Sequence, residues 1–176
     1  MKAAFLFLTL WAAPFLRAGE QARVLRGAPV PNRLLRQGDA LMIRKGNRFG
    51  VRIDLHTRHL RRVRDKILES ETLNWPDHPG SRRYRKALAS VTDPLLKQKG
   101  KVAFRIDWLL HPDGTGTVTV GNDQERTRLD NLPPDYVKDN LLLILQDRFD
   151  LTPEEAEKEL EKHLATLEPV ENQLEK

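Results

Sequence analysis

Three groups of residues have types and spacings that could do chemistry. Asp54-Leu55-His56-Thr57-Arg58-His59 brings a carboxylate and two imidazoles close together. A helix beginning by His56 would put both histidines on one turn, where they could share a metal ion. Cations crowd the same stretch and would repel one, and neither His-Glu-x-x-His nor another known ligand spacing occurs. Solvated histidines are the expectation, and no metal ligand is assigned. Asp107 and His111, with Asp113 between the strands they flank, could form a general acid–base pair. No Ser or Cys nucleophile in a recognisable context accompanies them. A wet strand aspartate and a turn aspartate account for the same residues, so no catalytic residue and no cofactor are assigned. The third group is cationic. Arg58, Arg61, Arg62, Arg64, Arg82, Arg83, Arg85 and Lys86 fall on two expected helices and could form one basic patch for an anionic partner. The bland alternative is that these side chains only solvate the helices, partly neutralised by an acidic C-terminal helix.

The elements that must position these groups are organised around Lys101–Val120. Val102, Phe104, Ile106, Trp108 and Leu110 recur at every second residue, so they share one face of a strand, with Arg105 and Asp107 on the other, expected wet. His111-Pro112-Asp113-Gly114-Thr115-Gly116 is turn chemistry, and Thr117-Val118-Thr119-Val120 returns as a β-branched strand. A second hairpin is expected from Leu41–Ile43 and Phe49–Leu55 around Lys45-Gly46-Asn47. Helices must cover these faces, because a hairpin alone is marginal in water.

Thr57 is the expected cap of a helix running to about Glu69, with Leu60, Val63 and Ile67 as its stripe. Asn74–Gly80 reads as a loop holding Trp75 and two prolines. Ser81 is the expected cap of a second helix carrying Tyr84, Leu88, Val91 and Leu95, stopped or kinked near Pro94. Asn122–Arg128 reads as a polar loop. Tyr136–Phe149 fits a helix period, although Leu141–Leu145 also fits a buried strand. Thr152-Pro153-Glu154-Glu155 carries an N-cap, a proline at N1 and a capping-box glutamate for a last helix bearing Ala156, Leu160, Leu164 and Leu167. The expected fold class is α+β, a small antiparallel sheet of two hairpins packed against three to four helices.

The chain has 176 residues, enough for one ordinary domain with flanking segments. It has no cysteine, which excludes a disulfide framework and a thiolate metal site. Met1-Lys2 followed by the apolar run Ala3–Leu16 reads as a secretory signal over 1–18, with cleavage after Ala18 or retention as an anchor; a buried N-terminal helix is the alternative. Residues 19–37 then read as a linker, 38–167 as a single α+β domain and 168–176 as a frayed tail. Charge is unevenly spread. Arg17–Gly100 holds 20 Lys+Arg against 8 Asp+Glu, whereas Leu151–Lys176 holds 3 against 8. The basic half of such a dipole seeks an anionic partner.

One resemblance is carried by Tyr84-Arg85-Lys86-Ala87-Leu88, Gly100-Lys101-Val102-Ala103-Phe104-Arg105-Ile106, Pro112-Asp113-Gly114 and Leu129-Asp130. Over roughly residues 81–149 the chain resembles the C-terminal domain of TonB- and TolA-type periplasmic proteins. The resemblance implies a helix, two strands about a D-G turn, then a further helix and strand. It also implies docking of a protein partner by strand addition in the periplasm, with no catalytic residues. The expectation is therefore a periplasmic or secreted, non-enzymatic binding or adaptor module acting through protein–protein contacts in the cell envelope. The alternative is a basic-patch binder of anionic lipid, cell-wall polymer or nucleic acid.

Overall fold

The computed structural model describes residues 33–37 and 39–168. The signal reading over 1–18, most of the linker and nearly all of the tail lie outside the described residues. Six strands form one antiparallel meander in sequence order: β1 (Arg33–Gln37), β2 (Ala40–Arg44), β3 (Phe49–Thr57), β4 (Val102–Leu110), β5 (Gly116–Gly121) and β6 (Arg126–Leu132). Between β3 and β4 the chain makes a helical hairpin, α1 (Leu60–Asn74) and α2 (Pro79–Leu95). After β6 come α3 (Pro134–Phe149) and α4 (Pro153–Leu164). The class is α+β, and both expected hairpins are present at the centre of the sheet.

Period-2 alternation set the buried face. Met42, Phe49, Val51, Phe104, Ile106, Trp108, Val118 and Val120 join Leu88, Val91, Tyr136, Leu141, Leu145 and Leu160 in one core. The cross-strand register places Val51 opposite Trp108 and Trp108 opposite Val118. Trp108 therefore sits mid-sheet, with Tyr84 and Tyr136 edge-on at centroid distances of 5.0 and 5.7 Å. Gly116 lets α3 approach, since a Cβ there would come within 2.5 Å of the Val137 methyls.

Several boundaries differ from expectation. The last five residues of the presumed linker are β1, paired antiparallel with β2. The loop expected over Asn122–Arg128 is shorter, and β6 begins at Arg126. Tyr136–Phe149 is helical, with the apolar Leu141–Leu145 run turned around a helix rather than laid in a strand. Over residues 81–149 the elements run α2, β4, β5, β6 and α3. The third strand precedes α3, and a helix follows it.

Helix starts were set by local chemistry. Thr57 Oγ1 accepts from the His59 N–H, but α1 itself starts one residue beyond His59, which gives no side-chain cap. The cap of α2 is His78, not Ser81: its Nδ1 accepts from the Gly80 N–H at 3.0 Å and Pro79 occupies N1. The second proline of the loop thus starts the helix it was expected to exclude. Thr152 and Glu155 form the expected reciprocal capping box. Thr152→Ala should cost about 1 kcal/mol, read as a lower urea midpoint with an unchanged slope.

Candidate anion-binding groove

The helical hairpin decides where the cations go. Arg64 Nη1 meets Asp93 at 2.9 Å, and Arg85 Nη1 meets Thr72 Oγ1 at 3.3 Å. The N-terminus of α1 therefore lies beside the C-terminus of α2. At about 1.5 Å rise per residue, Arg61 and the Arg82–Lys86 turn sit roughly 15–20 Å apart along the hairpin axis. The eight basic residues do not make one patch. They divide into an α1 group, Arg58, Arg61 and Arg62, and an α2 group, Arg82, Arg83, Arg85 and Lys86, with Arg64 between them.

The two groups differ in their commitments. Arg64 is paired with Asp65 and Asp93. Arg83 donates to the Asp130 carbonyl of β6 at 2.8 Å. Arg85 donates to Thr72 and to the Pro76 carbonyl, and its buried Nε finds no partner among the described residues. These three are structural. Arg58, Arg61 and Arg62 are exposed and make no ion pair or side-chain hydrogen bond among the described residues. Arg82 and Lys86 are likewise exposed and unpaired there. The acidic helix α4 packs on α3, and its Glu159 pairs with its own Lys162 and His163.

The α1 group lines an open groove of about 540 Å³ between the start of α1 and the α2–β4 connection. Arg58, His59, Arg61, Arg62 and Lys66 supply its basic rim, and Asp65 and Glu69 stand among them. The half-buried Leu96 gives it an apolar floor, with Leu60, Leu95 and Val102 buried beneath it. No acidic residue occupies the first turn of α1 and no side chain caps it, so the helix end adds partial positive charge to the rim. The arrangement suits a ligand that presents carboxylates to the rim and a small apolar group to the floor.

The other candidate groups are dispersed. Asp54 accepts from Arg105 Nε at 2.8 Å, whereas His56 and His59 are exposed. No group of three His, Cys, Asp or Glu suited to a metal ion occurs among the described residues. Asp107 and His111 are four residues apart along one strand direction, about 13 Å, and have separate partners. Asp107 is not wet. It lies on the sheet face opposite the helices at 4% exposure, clamped by Arg52 (2.8 and 2.9 Å) and Lys45 (2.6 Å). Burial pushes its carboxyl up, but the Arg52 and Lys45 hydrogen bonds outweigh that and hold it below the usual carboxylate range. His111 bonds Thr117 Oγ1 at 2.9 Å, and Thr117 donates to Asp130 at 3.0 Å. Because Thr117 spends its proton on Asp130, His111 Nε2 is the donor. Burial, then Arg48, lowers its pKa, which keeps the ring neutral near pH 7. Asp113 is a turn residue, accepting from the Thr115 N–H and hydroxyl.

Glu71 was missed by sequence reasoning. It is 3% exposed, and its Oε2 accepts from Tyr136 O–H at 2.7 Å beneath Trp75, which is edge-on to Tyr136. Burial pushes its pKa up to about 7, against the pull of the Tyr136 and Ser81 hydrogen bonds and of Arg85. The signal was in the spacing, since Glu71 continues the Leu60–Val63–Ile67 stripe four residues on. A carboxylate on an apolar stripe marks a buried polar site.

No family model matches the chain, and neither a curated protein nor a solved structure matches it.

Proposed function

We propose that the protein is an exported, non-enzymatic binding module of the cell envelope that holds an acidic segment of a protein partner in the α1 groove. The observation that carries this reading is the pairing of three uncommitted guanidiniums, Arg58, Arg61 and Arg62, with an apolar floor in one open groove. Free arginines at a rim give orientation and association rate, while a buried apolar anchor supplies most of the affinity. A bare polyanion would use the rim but not the floor, and it would meet Asp65 and Glu69. The export part of the reading rests on the Met1–Ala18 signal pattern.

A second reading is a surface binder of anionic lipid, cell-wall polymer or nucleic acid. It is favoured by Arg82 and Lys86, which add unpaired positive charge at the far end of the same hairpin. Selection of peptides from a random display library on the immobilised protein separates the two. The proposal expects enriched sequences that place acidic residues around one or two apolar ones. Enrichment of purely acidic sequences, with binding equal to that of polyglutamate, would favour the surface binder instead.

A further inference from the structure

The β3–β4 ladder ends at the mouth of the α1 groove with two cations side by side. Its last registered pair is Thr57 with Val102, and an antiparallel pair holds such Cα atoms about 5 Å apart. One residue further out on each chain stand Arg58 and Lys101. Arg58, Gly100 and Val102 line the groove, so Lys101 sits between two lining residues. Both side chains are exposed, and neither makes an ion pair or side-chain hydrogen bond among the described residues. Like charges opposite each other on paired strands repel. The neighbouring carboxylates do not relieve them. Asp54 is held by Arg105 Nε at 2.8 Å, and Asp65 by Arg64 Nε at 3.2 Å. Glu69 lies roughly 14 Å along α1 from Leu60. The approach is open, since a Cβ built on Gly100 meets no described atom within 4 Å.

We propose that Arg58 and Lys101 form a clamp for one carboxylate of the acidic partner segment, with an apolar neighbour of that residue set on the half-buried Leu96. The clamp rests on the α1 groove reading and deepens it. A carboxylate accepts at both oxygens, so the planar fork of Arg58 can meet it edge-on while Lys101 adds a point charge. The molecule already contains this arrangement. Arg52 and Lys45 hold Asp107 in the same way, with two bonds from the guanidinium and one from the ammonium. At the groove mouth the two cations are in place and the anion is left for a partner to bring. The clamp makes Lys101 a binding residue, although it is not among the eight cations that the helical pattern singles out. It also makes one acidic residue of the partner worth more than the others, which a diffuse basic surface would not do.

The test titrates a labelled, capped peptide, one leucine flanked on both sides by glutamates, against charge-reversal variants of the full chain. Lys101→Glu and Arg58→Glu should each lose about tenfold or more in affinity, and Lys99→Glu, exposed on the same connection, less than about threefold. The Arg58→Glu/Lys101→Glu double variant should lose little beyond either single change, because each alone removes the clamp. Lys101→Glu also sets a carboxylate beside Arg58, so its urea midpoint should rise, which separates lost binding from lost folding. A lowered midpoint would place the two side chains apart and overturn the clamp. Parent-like binding by Lys101→Glu, with affinity lost in Arg58→Glu/Arg61→Glu/Arg62→Glu, would overturn the clamp and leave the groove standing. Equal losses in Lys101→Glu and Lys99→Glu would overturn it as well. Parent-like binding by Lys101→Glu and the triple variant alike, or no binding by the parent, would overturn the groove and the clamp with it.

Discussion

Replacing Asp107 by alanine is expected to destabilise the protein by about 2–4 kcal/mol, measured as a fall in the urea midpoint. The carboxylate receives a two-point contact from Arg52 and a third bond from Lys45, at 5% side-chain exposure. Its removal leaves Lys45 of the β2–β3 turn and Arg52 of β3 without the anion they share. Lys45 is 45% exposed and can swing into water, which limits the loss, but Arg52 at 22% stays largely trapped. The same pair fixes a pH dependence. The folded carboxyl titrates below its unfolded value. Its stabilisation is therefore complete above the unfolded value near 4 and is lost as pH falls through the folded one. Asp107→Asn should remove that acid-limb loss while keeping the side-chain shape. An unchanged acid limb in Asp107→Asn would show that the pair contributes nothing to folding.

Glu71 should act in the opposite direction. Its folded pKa is raised from 4.5 to about 7, so the folded state binds the proton more tightly than the unfolded chain does. The Glu71 contribution to stability is then highest below about 4.5 and declines as pH rises to about 7, by on the order of 3 kcal/mol. Above that range the charged carboxylate is held in the core at full cost. Glu71→Gln keeps the acceptor for Tyr136 O–H but cannot ionise. It should be at least as stable as the parent at pH 8 and should lose most of the decline between pH 4.5 and 7. Guanidine melts at several pH values would show this, and a parent-like decline in Glu71→Gln would place the titrating group elsewhere.

How far the sequence could be read depended on whether each element had a buried face. β3 and β4 alternate apolar and polar residues because one face of each is packed, so both were legible. β6 was not, because it is an edge strand whose Arg126, Arg128 and Asp130 are exposed and show no apolar face. β1 hid behind Pro29 and Pro31, which suggested linker for the whole stretch. α3 was ambiguous because its leucine run is long enough to be a strand, and only packing of Leu141 and Leu145 against the sheet resolves it. Capping by His78 could not be anticipated from a residue type that rarely caps, whereas Thr152 and Glu155 announced themselves.

The candidate site shows the same limit. The eight cations were found by composition, but their grouping depends on the direction of the helical hairpin. Antiparallel pairing of α1 and α2 separates residues that look like one patch on paper. It also commits Arg64, Arg83 and Arg85 to internal partners, which charge counting cannot foresee. Asp107 looked wet because strand alternation identifies a face, not what lies over it.

The most direct measurement is a comparison of charge reversal at the two ends of the hairpin. A labelled peptide enriched by display selection would be titrated against the parent, against the Arg58→Glu/Arg61→Glu/Arg62→Glu variant, and against Arg82→Glu/Lys86→Glu. All five positions are exposed, so the fold should survive in each. The α1 groove reading predicts that the triple variant loses at least about tenfold in affinity and that the double variant loses less than about threefold. Equal losses in both, or a larger loss in the double variant, would contradict the groove and leave only a diffuse basic surface.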